Sequence, residues 1–169
     1  MRLDALDRRI IAVLQTDGRR PFSRIASPLG VSESVVRYRV GRLEEHGLLQ
    51  IVGIADPLRI GFDRMALLGI RVQPGRLPEV CEKVGALPET SYVAETAGSF
   101  DLFVEVVCRD TSHFAELLKE RLHRIDGITA VDSFLVLGIH KLAYGWGVPG
   151  VEVADGGSHT DVTAGLGAA

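Results

Sequence analysis

Residues 30–49 read GVSESVVRYRVGRLEEHGLL, and between positions 32 and 42 they collect two hydroxyls, a phenol and three guanidinium groups: Ser32, Ser34, Tyr38, Arg37, Arg39 and Arg42. Guanidinium is a planar fork of donors that matches phosphate oxygens and the acceptor edge of guanine, and hydroxyls read base edges as donor or acceptor. The chemistry on offer is hydrogen-bond recognition with no covalent step. On a helix each residue advances about 100°, which puts Val40 and Leu43 within roughly 40° of Val36 as a core stripe. Ser34, Arg37, Tyr38, Gly41 and Arg42 then face away from that stripe. Arg39 stands at its edge, where the stem can pack and the head reach out. Such a helix is either a solvated face of a small domain or a surface that lies against DNA. Gly41 costs roughly 1 kcal/mol in a helix, and a closely approaching sugar-phosphate backbone is one reason to keep it.

A second constellation is the short run Ala97-Gly98-Ser99-Phe100-Asp101. Backbone N–H groups of a tight Gly turn can hold a carboxylate, and a neighbouring Asp can hold an ammonium group. Together they suit an amino acid zwitterion. The alternative is that Asp101 only closes the turn through a local hydrogen bond. Ser133 is a weaker candidate for the same site, and could equally be an ordinary strand hydroxyl.

Other chemistries find no support. His46, His113, His123, His140 and His159 lack metal-ligand spacing, and there is no nucleophile elbow, GxGxxG or P-loop. No catalytic constellation, metal or cofactor is expected. Cys81 and Cys108 sit in apolar settings and read as reduced thiols rather than a disulfide framework. The N-terminus does not read as a signal peptide, and no run of about 18 apolar residues exists to span a membrane. A cytoplasmic protein is expected.

The elements that must position these residues can be read from periodicity and punctuation. LDALDRRIIAVLQTDG reads as a helix capped by Asp4, with Leu6, Ile10, Val13 and Leu14 on one face and Asp17–Gly18 as its stop. RPFSRIASPLG reads as a short second helix, with Pro21 in its first turn and Pro28 and Gly30 ending it. Ser32 caps the third helix, which runs to about His46 before Gly47. Three helices with a tight Gly turn between the second and third make a helix-turn-helix pattern over residues 1–48. LLQIVGIADP reads as a strand or wing, so residues 49–63 form a linker strand. From Arg64 the texture changes. RMALLGIRVQ, ETSYVAETAG, FDLFVEVVCR and ITAVDSFLVLGIHK read as strands, the last a long one. GRLPEVCEKVGAL is a helix, and TSHFAELLKERLHRID is another, capped by Thr111 or Ser112. The order β-α-β-β-α-β over residues 64–142 predicts a ferredoxin-like sandwich. The fold class is therefore α+β, with residues 143–169 as a flexible tail rich in Gly and small polar residues.

The charge follows the same division. The chain of 169 residues carries a formal net charge of −3, which excludes a bulk electrostatic case for nucleic acid. Yet residues 1–50 hold nine arginines against six acids, net +3, while the remainder holds 10 bases against 16 acids, net −6. Only the basic head is suited to phosphate.

The head sequence LDALDRRIIAVLQTDGRRPFSRIASPLGVSESVVRYRVGRLEEHGLLQ resembles the N-terminal domain of the Lrp/AsnC (feast/famine) family of transcriptional regulators. Leu3, Asp4, Asp7, Ile10, Leu14, Asp17, Arg19, Ala26, Gly30, Ser32, Val36, Arg39, Leu43, Glu44 and Gly47 match its pattern. ETAGSFDLFVEV resembles the family's later glycine turn through Gly98, Asp101 and Leu102, so the resemblance spans residues 3–142. It implies a winged or plain helix-turn-helix head, a strand, and a ferredoxin-like domain that dimerises, assembles into larger rings and binds small effectors, commonly amino acids, with the Ala97–Asp101 turn helping to line the pocket. The sequence departs from the pattern at Ser99–Phe100, where an acid and a Tyr are usual, at Pro21, Arg24, Ile25 and Pro28, and in the tail from Gly145 to Ala169. The expectation is a homo-oligomeric regulator of double-stranded DNA, gated by a small effector. Ser34, Val35, Arg37, Tyr38 and Arg42 would face bases, with Ser32 at the helix cap. Arg19, Arg20 and Arg39 would hold phosphate or brace the fold. The alternatives are an architectural DNA binder of weak sequence preference and a metabolic enzyme, the latter disfavoured by the missing constellation.

Overall fold

The computed structural model describes residues 1–141 and 145–151. The expected tail, with Tyr144 and His159, lies largely outside the described residues. The chain divides into two compact units, Met1–Gly53 joined by the segment from Ile139, and Ile54–Gly138. The division falls inside the stretch read as a linker.

The first unit holds α1 (Ala5–Thr16), α2 (Phe22–Leu29) and α3 (Glu33–Glu45). Asp4 caps α1 reciprocally: its carboxylate accepts from Asp7 N–H at 2.8 Å, and Asp4 N–H donates to the Asp7 carboxylate at 3.1 Å. This satisfies two donors that every helix start leaves without an internal partner. The turn between α2 and α3 is made at Gly30, whose φ of 67° lies in the left-handed region. There Gly30 N–H returns to the Ser27 carbonyl and Val31 N–H to the Ala26 carbonyl, closing the open end of α2. Gly47 does the same for α3. The three helices bury Ile10, Leu14, Ile25, Ala26, Val36 and Val40 against one another, which is the stripe expected from the 3.6-residue period.

The second unit holds β1 (Arg64–Val72), α4 (Leu77–Gly85), β2 (Thr90–Glu95), β3 (Leu102–Cys108), α5 (Thr111–Glu116) and β4 (Ile128–Leu135). The sheet order is β2-β3-β1-β4, antiparallel throughout. Strand residues alternate between faces. Ala66, Leu68 and Ile70 with Leu102, Val104, Val106 and Cys108 pack beneath Val80 and Val84 of α4 and Leu117 and Leu122 beyond α5. Each fully buried aliphatic of this size contributes roughly 1.5–3 kcal/mol. The opposite face has no cover within the unit and leaves Leu67, Tyr92 and Phe134 exposed.

Four expectations are corrected. Residues 49–56 form no strand, and no wing follows α3, because nothing within the unit pairs with them; the stretch ends in a 3-10 turn at Pro57–Arg59, capped by Asp56. The last strand is shorter than expected: it ends at Leu135 opposite Ala66, close to the start of β1 at Arg64, and Val136 N–H makes the final bond to the Met65 carbonyl. Asp110, rather than Thr111 or Ser112, caps α5 by accepting from His113 N–H at 2.8 Å. The helix after α5 is not regular, passing into a π turn at Leu117–Arg121 and a 3-10 turn at Leu122–Arg124. The wider i→i+5 turn lets Leu117 and Leu122, five apart, both stay buried, and it aims Arg121 at Glu89.

Glu89 is a buried acid that the sequence reading did not single out. It accepts from Arg121 at 2.7 and 3.0 Å and from His113 Nε2 at 3.0 Å, while Arg109 N–H donates to His113 Nδ1. Burial alone would raise its pKa, but the His113 hydrogen bond and the Arg121 charge outweigh it and hold the carboxyl below its ordinary value. Burial also pushes the neighbouring Cys108 thiol up to about 11. Both described cysteines are free.

Candidate nucleic-acid interface and effector turn

The N-terminal half of α3 carries a continuous exposed face. Ser32 Oγ accepts from Val35 N–H at 3.4 Å and lies 2.8 Å from Ser34 Oγ, so the cap also sets the second hydroxyl. Val35 is 37% and Tyr38 68% exposed. Arg37 is held upright rather than free: it pairs with Glu33 at 2.6 Å and its guanidinium lies 5.2 Å from the centre of the Phe22 ring. Ser34, Val35, Arg37 and Tyr38 thus come together. Arg19 and Arg20 lie in the α1–α2 turn, where Asp17 accepts from Arg19 N–H at 3.0 Å and its carboxylate lies 3.8 Å from Arg20 Nε.

Arg39 and Arg42 are placed differently from the expected arrangement. Arg39 Nη1 donates to Asp7 at 2.7 Å and to Asp4 at 2.5 Å. These contacts tie α3 to the start of α1. The arrangement holds the Asp4 carboxyl below its ordinary value, through the Asp7 N–H first and Arg39 second, and raises Arg39. Arg42, expected among the base-facing side chains, also turns back to Asp7, with Nη2 at 3.4 Å. Asp7 itself is fully buried. It was not assigned a role from sequence, although it falls three and seven residues before Ile10 and Leu14 on the same face of α1. An acid within an apolar stripe demands a buried partner, and that was the signal available.

Gly41 stands on the exposed side with open space where a Cβ would be; nothing comes within 4 Å. The protein itself therefore does not require glycine there. Gly41→Ala is expected to raise head stability by about 1 kcal/mol while lowering DNA affinity, read by urea unfolding and by DNA titration on the same preparation. Equal or tighter DNA binding would show that no phosphate backbone passes over this position.

In the second unit the Ala97–Asp101 turn forms as expected, with Ala97, Gly98 and Ser99 exposed and Gly98 at φ 152°. Thr96 Oγ1 donates to the Phe100 carbonyl at 2.8 Å and Thr96 N–H to the Asp101 carbonyl at 2.9 Å. The Asp101 carboxylate accepts from Val72 N–H at 2.7 Å. It ties the turn to the end of β1, closer to the structural alternative than to an open ammonium site. Ser133 stands on a different face from the turn's aromatic ring. It pairs in register with Leu68, so its side chain lies on the helix-covered face. Phe100 lies on the opposite face, its ring 2.8 Å from where a Gly69 Cβ would stand. The expected Phe100 brings further residues to the turn: it meets Phe103 and Phe134 edge-to-face at 5.5 and 6.4 Å, Arg71 stacks 5.3 Å from its centre, and Arg71 pairs with Asp132 at 2.9 Å. Among the described residues no cluster of acids, cysteines and histidines is placed to hold a metal, and no helix is long and apolar enough to cross a membrane.

A helix-turn-helix unit followed by a split βαβ sandwich is the layout of a two-domain DNA-binding regulator. Residues 3–44 match the AsnC-type helix-turn-helix domain and residues 65–145 the Lrp/AsnC ligand binding domain. An uncharacterised HTH-type transcriptional regulator of Pyrococcus furiosus is 34% identical over 143 residues, covering 84% of this chain and 97% of the relative. The chain belongs to the Lrp/AsnC family of transcriptional regulators. Among solved structures, Escherichia coli AsnC superposes with a TM-score of 0.70 at 25% identity, covering 84% of this chain and 97% of that one. A transcriptional regulator of Neisseria meningitidis, solved as a complex with L-Met, shares the fold at TM-score 0.72 and 22% identity, covering 85% and 96%.

Proposed function

We propose that this regulator binds specific DNA sites through the exposed face of α3, and that a small effector, an amino acid in the first instance, modulates its DNA binding or assembly. The observation that carries the reading is the Ser34, Val35, Arg37 and Tyr38 face, rigidly capped and left uncovered. In helix-turn-helix docking the start of the third helix enters the major groove. Its hydroxyls and guanidinium then meet base edges, and Val35 can meet a thymine methyl. Ser32, Arg19 and Arg20 would meet the phosphates that flank that groove.

A homodimer, further assembled into larger oligomers, is part of the proposal. The sheet face bearing Leu67, Tyr92 and Phe134 is apolar and uncovered, the kind of surface that a second copy buries. Two heads so related would enter successive major grooves, about one helical turn apart. The effector reading rests on the match to a ligand-binding domain, on the exposed Ala97–Ser99 backbone and on the adjoining aromatic group with Arg71 and Asp132. That the Neisseria regulator was solved with L-Met makes free amino acids the first ligands to try. With DNA as its partner, the protein would work in the cytoplasm.

The test is selection of genomic DNA fragments by the purified protein, with and without a pool of free amino acids. A recurring pseudo-palindrome whose occupancy changes with one amino acid is expected. Enrichment without any amino acid response would remove the effector half of the proposal, and flat binding across fragments would favour an architectural role. On the enriched site Arg37→Ala is expected to cost about 1–3 kcal/mol of affinity. Wild-type affinity in that variant would displace Arg37 from the recognition face.

A further inference from the structure

Two arginines of α3 meet the same buried carboxylate, and they meet it on unequal terms. Arg39 is gripped by two acids at 2.5 and 2.7 Å, and its side chain is 24% exposed. Arg42 reaches Asp7 through one contact of 3.4 Å, and its side chain is 35% exposed. The oxygen it reaches already accepts the Asp4 N–H at 3.1 Å. Arg42 Nε, meanwhile, is buried without a hydrogen-bond partner among the described residues, and an unsatisfied buried donor costs free energy. Arg42 therefore occupies a position that satisfies it only in part. Its departure would leave Asp7 with Arg39 and the Asp4 N–H still in place.

We infer that Arg42 is an exchangeable cation: it docks on Asp7 in the free protein and transfers to a DNA phosphate in the complex, while Arg39 stays on the acids. This inference rests on the DNA reading above. Arg42 lies in the last turn of α3. When the start of that helix enters the groove, its last turn points toward the sugar-phosphate backbone rather than the base edges. A phosphate offers a full negative charge and charge-assisted hydrogen bonds for both Nη and the orphaned Nε. Asp7 is then a positioning residue. It keeps the guanidinium folded against α1 until a phosphate competes for it, so Arg42 adds to affinity and salt dependence without adding to sequence choice.

The measurement is the dependence of the DNA association constant on salt, for the full chain, on the enriched fragment and on a random duplex of equal length. Each phosphate contact contributes about one to the slope of log K against log salt. Arg42→Gln is expected to lower the slope by about one and the affinity roughly tenfold, equally on both duplexes, and Arg42→Lys to keep the slope. An unchanged slope in Arg42→Gln overturns the inference, because Arg42 then stays on Asp7. So does a loss confined to the enriched site, because Arg42 then reads a base. Should Arg42→Gln not fold, the guanidinium 15N resonances of the unmutated protein decide the matter. Arg42 is expected to move on adding duplex while Arg39 does not; a stationary Arg42 overturns the inference. If the wild-type protein prefers no fragment, the reading as a sequence-specific regulator fails, and the slope on random duplex still tests Arg42.

Discussion

Arg39→Ala is expected to destabilise the helix-turn-helix unit by about 3–5 kcal/mol, the range for removing one partner of a buried ion pair. The cause is what the substitution leaves behind. Asp7 has no exposure to water, and without Arg39 it keeps only the Asp4 N–H at 3.1 Å and Arg42 at 3.4 Å. Asp4, at the helix cap, loses its cation as well. The enclosure of Asp7 is not evidence that the charges are the most stable choice for the site. Replacing both together, Asp7→Leu with Arg39→Met, is expected to recover most of the loss, because neither charge is then orphaned. Urea unfolding of the full chain, followed by helical circular dichroism, separates the two results. A loss below about 1 kcal/mol for Arg39→Ala, a figure typical of a surface pair, would mean that Asp7 is more hydrated than the geometry implies.

Gly69→Ala should cost the sandwich about 3 kcal/mol, at the upper end for overpacking. The added methyl would stand 2.8 to 2.9 Å from three atoms of the Phe100 ring. A lone flexible side chain could swing away, but this ring is set edge-to-face against Phe103 and Phe134 and covered by Arg71. The next residue, Asp101, is tied to Ile70 and Val72 of the same strand. The ring can move only by disturbing the turn, so effector response should be lost along with stability, while the head keeps its DNA affinity in the absence of effector. Phe100→Ala in the same chain removes the clash and should restore much of the melting temperature. Wild-type melting in Gly69→Ala alone would show that the ring yields freely.

These two sites mark where the sequence was and was not legible. The caps at Asp4, Ser32 and Gly47, the turn at Gly30 and the alternation of β1 and β3 are local codes, complete within a few residues, and they could be read directly. The Asp7–Arg39 and Asp7–Arg42 contacts join residues 32 and 35 positions apart; the arginines were visible, but their partner was not. The face that Ser133 occupies was hidden for a related reason. Side chains in a strand change face at every residue, so its membership of a site depends on a register that only the pairing of β4 with β1 settles. The linker failed differently: its alternation was real, but a strand needs a neighbour, and the unit supplies none. The π turn after α5 has no local signature in Leu117–Arg121 and follows from what Leu117, Leu122 and Arg121 must each reach.

The position of β1 in the sheet bears on how the chain is made. Its two neighbours are β3 and β4, so the first strand of the sandwich to leave the ribosome is the one whose partners come last. Synthesis proceeds at about 5–20 residues per second, and β4 begins at Ile128. The apolar run of β1 therefore keeps one edge open until β4 is made, on the order of several seconds at that rate and well after β3 has paired the other, while the mutual contacts of the three head helices, all upstream, are free to form. The nascent chain passes through a stage in which a folded DNA-binding unit trails an open strand, and that interval is when the protein is most exposed to mispairing and most in need of a chaperone.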